Sequence, residues 1–111
     1  MTITEDWLQA YPAFDCIVAQ NDDSALGAIE ALKTAKRLKG VVVVGIDGSD
    51  NALASVKAGE MSMTVFQDAK GQAKAVVDIA KKIRDGAKPD SIQNIYIPFK
   101  AITRSNLDEA N

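Results

Sequence analysis

Asn21, Asp47 and Gln67 are the side chains of this sequence best placed to do chemistry. Each ends an apolar run: Cys16-Ile17-Val18-Ala19 precedes Asn21, Val41-Val42-Val43-Val44-Gly45-Ile46 precedes Asp47, and Met63-Thr64-Val65-Phe66 precedes Gln67. A carboxylate supplies two acceptor oxygens, and the two amides supply donors and acceptors together. Such a set suits a neutral, hydroxyl-rich molecule. In an open α/β sheet, ligands bind just outside the carboxyl ends of the strands, so these side chains predict one polar binding edge.

Catalytic machinery is not visible beside them. The chain has no histidine, which removes the commonest general base and metal ligand and with it the usual Ser/His and Cys/His nucleophile pairs. Its one cysteine, Cys16, cannot form an internal disulfide and reads as a small buried hydrophobe inside a strand. Asp22, Asp23 and Asp47 together raise the alternative of a Mg²⁺ site for phosphoryl transfer. Against that enzyme reading, no lysine or phosphate-cradling glycine loop follows the first strand, since Gly27 lies well inside the next helix. The sequence therefore predicts no catalytic residue, no metal and no cofactor.

Composition sets the outer limits. With 111 residues, 47% hydrophobic and 25% charged, the chain has the make-up of one globular domain. A net charge of −2 gives no footprint for nucleic acid or an anionic membrane, and Lys33, Lys36, Arg37 and Lys39 read as a solvated helix end. No apolar run approaches the ~20 residues of a membrane span. The first residues, Met1 to Asp6, lack the basic and apolar regions of a secretory signal, so the chain as written is expected to stay in the cytoplasm.

Helical and strand patterns alternate along the chain. Thr4 is a cap for a helix running to Tyr11, stopped by Pro12. Residues 14–19 read as the first strand. Asn21 or Asp22 caps a helix to about Leu38, with Leu26, Ile29, Leu32 and Leu38 at helical spacing. Residues 41–46 form a second strand, uniformly apolar as for a strand covered on both faces, with Val42 and Val44 in the core. Ser49 caps a helix closed by Gly59, and residues 62–66 form the third strand. Asp68 caps a helix whose apolar stripe is Ala73, Val76, Val77, Ala80 and Ile83, with Gly86 as its stop. Residues 95–103 read as a last strand and Ser105 as the cap of a terminal turn. The order predicts an α/β fold with an open, three-layer parallel sheet joined by right-handed crossovers.

The motifs carry a resemblance. Ala19-Gln20-Asn21-Asp22-Asp23-Ser24-Ala25-Leu26-Gly27-Ala28, then Val43-Val44-Gly45-Ile46-Asp47-Gly48, then Ala58-Gly59-Glu60 leading into Thr64-Val65-Phe66-Gln67-Asp68, resemble the carboxy-terminal lobe of type I periplasmic sugar-binding proteins of the ribose- and galactose-binding group. The likeness covers residues 7–106. It implies a solute-binding lobe of an ABC-importer receptor whose amino-terminal half is missing, with residues 69–103 as the crossover between lobes. It also implies that Asn21, Asp47 and Gln67 contact the hydroxyls of a monosaccharide or sugar alcohol, and that the full-length relatives are periplasmic and serve an importer permease.

Plainer readings stand beside these. Asn21 and Asp22 serve as helix caps, Asp47-Gly48 as a strand-to-helix turn, Gln67 as a strand end and Trp7 as a packing residue. An effector-binding lobe of a lactose-repressor-type regulator shares the fold, and an orphan lobe that only dimerises is a further alternative. Without its partner lobe the stripe of Val76, Val77 and Ile83 predicts a homodimer, formed by packed stripes or by exchange of residues 69–103.

Overall fold

The computed structural model describes residues 2–110, which fall into two compact units: the chain up to Gln67 together with the chain from Lys100, and Asp68–Phe99. The first unit holds the helices α1 (Thr2–Ala10), α2 (Asp22–Thr34) and α3 (Asp50–Ala58). It also holds the strands β1 (Cys16–Val18), β2 (Val42–Asp47), β3 (Met63–Phe66) and β4 (Lys100–Ile102). The second unit consists of α4 (Ala69–Arg84), a 3-10 turn over Pro89–Ser91 and a stretch without regular structure after it.

The strands lie in the order β1-β2-β3-β4. β1 pairs parallel to β2 with Ile17 opposite Val43, and β2 pairs parallel to β3 with Gly45 opposite Thr64 and Asp47 opposite Phe66. β4 runs antiparallel to β3, Thr64 facing Ile102, so the sheet is open and mixed rather than wholly parallel as the sequence suggested. The predicted strand over residues 95–103 shrinks to Lys100–Ile102. Ile95, Ile97 and Phe99 alternate as a strand would, but Pro98 cannot donate to a ladder, and Ile95, Tyr96 and Phe99 are exposed.

One face of the sheet carries the core. Ile17 and Val43 pack with Ala25, Ala28, Ile29 and Leu32 of α2, Ala52 and Val56 of α3, and Met61. Each large side chain fully buried there contributes about 1.5–3 kcal/mol. Strand alternation turns the neighbours outward: Val18 is 71% and Val42 46% exposed, and Val44 is half-buried. The expectation that Val42 and Val44 form the core is thus corrected to Val43. A uniformly apolar run has no two-residue period to say which parity meets the helices. Cys16 shares the outward parity and is exposed, not buried.

Helix ends follow local chemistry. α2 stops at Thr34, four residues short of Leu38, because Lys36 takes the left-handed conformation at φ 57. Its amide donates to the Lys33 carbonyl at 2.9 Å and that of Arg37 to Leu32 at 2.8 Å, the paired bonds of a Schellman stop. That role normally falls to glycine, so a lysine there gave no signal. Gly59 at φ 79 closes α3 in the same way, as predicted. At the other end of the chain Asn106, not Ser105, organises the last turn by accepting the Thr103 amide at 2.8 Å. Thr4 lies inside α1 and is buried rather than capping it.

Candidate functional site

All the site residues named from the sequence stand at carboxyl ends of neighbouring strands in the first unit. Asp47 is the last residue of β2, Gln67 directly follows β3, and Asn21 follows β1 in the loop into α2. Asp47 and Gln67 meet. The Gln67 side-chain amide Nε2 donates to Asp47 Oδ1 at 2.8 Å, and the Gln67 backbone amide donates to the Asp47 carbonyl at 3.1 Å. Because a carboxylate only accepts, this contact fixes which end of the Gln67 amide faces Asp47 and turns Gln67 Oε1 away as a further acceptor.

Asn21 makes no direct bond to that pair among the described residues. It caps α2, its Oδ1 accepting the Ser24 amide at 2.8 Å from an extended backbone. Capping and recognition are compatible, since Oδ1 is engaged while the Nδ2 group remains a donor at the exposed edge. Asn21 and Asp47 are exposed and Gln67 is half-buried, so the edge is open to solvent.

What sequence reasoning missed is the layer beneath. Asp22, read as an alternative cap or a metal ligand, is 1% exposed. Its Oδ1 accepts the Thr64 hydroxyl at 2.6 Å and its Oδ2 the Ser49 backbone amide at 2.7 Å. Thr64, itself fully buried, accepts the Gly48 amide at 3.2 Å. The carboxylate thereby ties the β1–α2 loop to the turn after β2 and to β3, and it sits in the positive first turn of α2. The signals were a threonine within an apolar strand and a glycine within the valine run: a Cβ at Gly45 would collide with Asp22 Oδ1. Both Asp22 oxygens being occupied by protein donors leaves it unsuited to the Mg²⁺ role. Among the described residues no group of three or more His, Cys, Asp or Glu side chains is arranged to hold a metal ion.

Asp47 itself is held in an unusual backbone state, φ 129, followed by Gly48 at φ 74. For a residue other than glycine this region costs of order 1–3 kcal/mol and concentrates at functional positions.

Asn21, Asp47 and Gln67 thus form a polar edge at the strand ends of an open α/β sheet. Comparison with known proteins gives the family. The family model for the periplasmic binding protein domain matches residues 1–88, and the chain belongs to that family. It is 48% identical over 105 residues to the putative rhizopine-binding protein of Rhizobium meliloti, covering 94% of this chain and 33% of that one. It is 36% identical over 104 residues to the ribose import binding protein of Bacillus subtilis, covering 94% and 33% respectively. A crystal structure of an ABC transporter solute-binding protein from Bacillus halodurans with bound myo-inositol superposes with a TM-score of 0.89 at 39% identity, over 97% of this chain and 37% of that one. The chain thus spans about a third of the length of these relatives. The family consists of periplasmic solute-binding proteins rather than enzymes, and of these relatives one is named for ribose and another holds bound myo-inositol.

Proposed function

We propose that Asn21, Asp47 and Gln67 supply one side of a binding site for a monosaccharide or sugar alcohol, in a receptor that serves an ABC importer. The observation that carries this reading is the Gln67–Asp47 hydrogen bond of 2.8 Å at the sheet's carboxyl edge. It pre-orients a carboxylate and an amide together before any ligand arrives, which reduces the ordering cost of binding. Asp47 Oδ2 then accepts from one ligand hydroxyl, Gln67 Oε1 from another, and Asn21 Nδ2 donates to a third. A neutral polyol answers such a mixed set, whereas a phosphorylated ligand would meet the Asp47 charge.

This lobe alone leaves the far side of a ligand in water. Its affinity is therefore expected to be no better than about millimolar, near −4 kcal/mol. Calorimetry against ribose, other pentoses, hexoses and myo-inositol, repeated with Asp47→Ala, tests the assignment. Binding that survives Asp47→Ala unchanged sinks it.

The apolar side chains of α4 support a second reading, self-association. Val76 is 66%, Val77 50% and Ile83 44% exposed. Aliphatic groups grouped on one helix favour burial against a partner surface, here a second copy through packed stripes or exchange of residues 69–103.

A further inference from the structure

The strained turn at Asp47 needs something to hold it. Asp47 at φ 129 and Gly48 at φ 74 are followed by Ser49, whose side chain caps α3. A conformation of this kind persists only where its surroundings over-determine it. Successive backbone amides after Asp47 are caught from below: that of Gly48 by Thr64 Oγ1 at 3.2 Å, and that of Ser49 by Asp22 Oδ2 at 2.7 Å.

The direction of the bonds is forced. Asp22 as a carboxylate accepts only, so the Thr64 hydroxyl spends its one proton on Asp22 Oδ1, 2.6 Å away, and can meet the Gly48 amide only as an acceptor. The chain of bonds therefore runs from Gly48 N–H to Thr64 O–H to Asp22. Its members are buried, Asp22 at 1% and Thr64 at 0% exposure, where water cannot substitute for a lost partner. Gly45, opposite Thr64 in the sheet, leaves the space into which the carboxylate fits.

We propose that Asp22 and Thr64 are positioning residues that clamp the Asp47-Gly48-Ser49 turn, holding Asp47 in its left-handed conformation so that its carboxylate stays on the binding edge beside Gln67. The consequence for ligand binding rests on the assignment of Asp47 as a ligand contact, but the clamp itself does not. Asp22 is buried with both carboxylate oxygens engaged by protein donors. It acts through the backbone amides of the next loop, and because it adjoins Asn21 the same carboxylate keeps the β1 and β2 loops in register.

The test is made on the 111-residue chain by NMR, comparing Thr64→Val, Thr64→Ser and Asp22→Ala with the parent. Thr64→Val keeps shape and removes the relay. The expected result is a change in the Asp47 backbone coupling toward an ordinary negative φ. Gly48 amide exchange should also rise at least ten-fold, while the amide of Val43 in the core keeps its protection relative to global unfolding. Thr64→Ser retains a hydroxyl and should restore both parent values. Should Thr64→Val fail to fold, Asp22→Ala gives the same reading, since it removes the acceptors of both the Thr64 hydroxyl and the Ser49 amide. An unchanged Asp47 coupling in the folded variants overturns the clamp. The two ideas separate cleanly: loss of the coupling with ribose and myo-inositol binding indifferent to Asp47→Ala supports the clamp and rejects the site.

Discussion

Replacing Gly45 by alanine is expected to be among the most damaging single-methyl changes in this chain. The position lies in the middle of β2, where alanine would normally gain about 0.5–1 kcal/mol over glycine by reducing the freedom of the unfolded chain. Here a Cβ would overlap Asp22 Oδ1 and come within 3.2 Å of Ala25 Cβ and 3.3 Å of Asp22 Cα. The Asp22 backbone is fixed by α2, so the carboxylate must swing away from its donors. The Ser49 amide and the Thr64 hydroxyl then lose their acceptor, each at about 1–3 kcal/mol for a buried group left unmet. A net loss of about 2–5 kcal/mol follows, a large share of the ~5–15 kcal/mol that holds a domain together. Urea unfolding followed by far-ultraviolet circular dichroism measures it. The mechanism is separable from generic overpacking by a cycle with Asp22→Ala, which removes the colliding oxygen. The double variant should cost little more than Asp22→Ala alone, so that most of the Gly45→Ala loss of about 2–5 kcal/mol appears as coupling. A Gly45→Ala loss below about 1 kcal/mol, or additivity in the cycle, refutes the reasoning.

Further expectations follow from the same geometry. Val43→Ala removes two methyl groups from a fully buried site and should cost about 2–3 kcal/mol in urea melts, whereas Val42→Ala, 46% exposed, should cost under about 1 kcal/mol; equal losses would contradict the one-sided core. Lys36→Gly should raise stability by about 0.5–1 kcal/mol, because φ 57 strains a side-chain-bearing residue and not glycine; a loss would show that the lysine side chain compensates. The Asp78 carboxyl should titrate below the usual carboxylate range, held down first by the hydrogen bond from Lys74 and then by its charge. A depressed folded value contributes stability above the unfolded value that is lost as pH falls through the folded one, so the effect lies at acid pH; an NMR titration unmoved by Lys74→Met would remove the cause. Light scattering at micromolar concentration should give about twice the 11.8 kDa chain mass, and Val76→Asp should shift it toward monomer; a stable monomer indifferent to that change rejects self-association through α4.

Local chemistry made much of the chain legible before any coordinates. Ser49 and Asp68 each cap the helix they were expected to cap, and of the two candidates for α2 it is Asn21, because a short polar side chain ahead of an apolar stripe satisfies an orphan amide wherever it stands. The runs of β1, β2 and β3 and the placement of Asn21, Asp47 and Gln67 beyond them follow from the same period-reading, and the motifs pointed to the family. The tertiary structure alone decided which parity of β2 faces the helices, since Val41 to Val44 look alike and only the packing of α2 and α3 chooses Val43. It alone made β4 short and antiparallel, a matter of where an exposed, proline-bearing stretch rejoins β3. And it alone revealed Asp22 as the buried tie beneath the site. Asp22 and Thr64 are 42 residues apart in the chain, and no local pattern relates a carboxylate to a hydroxyl that only the parallel pairing of β2 with β3 brings within 2.6 Å.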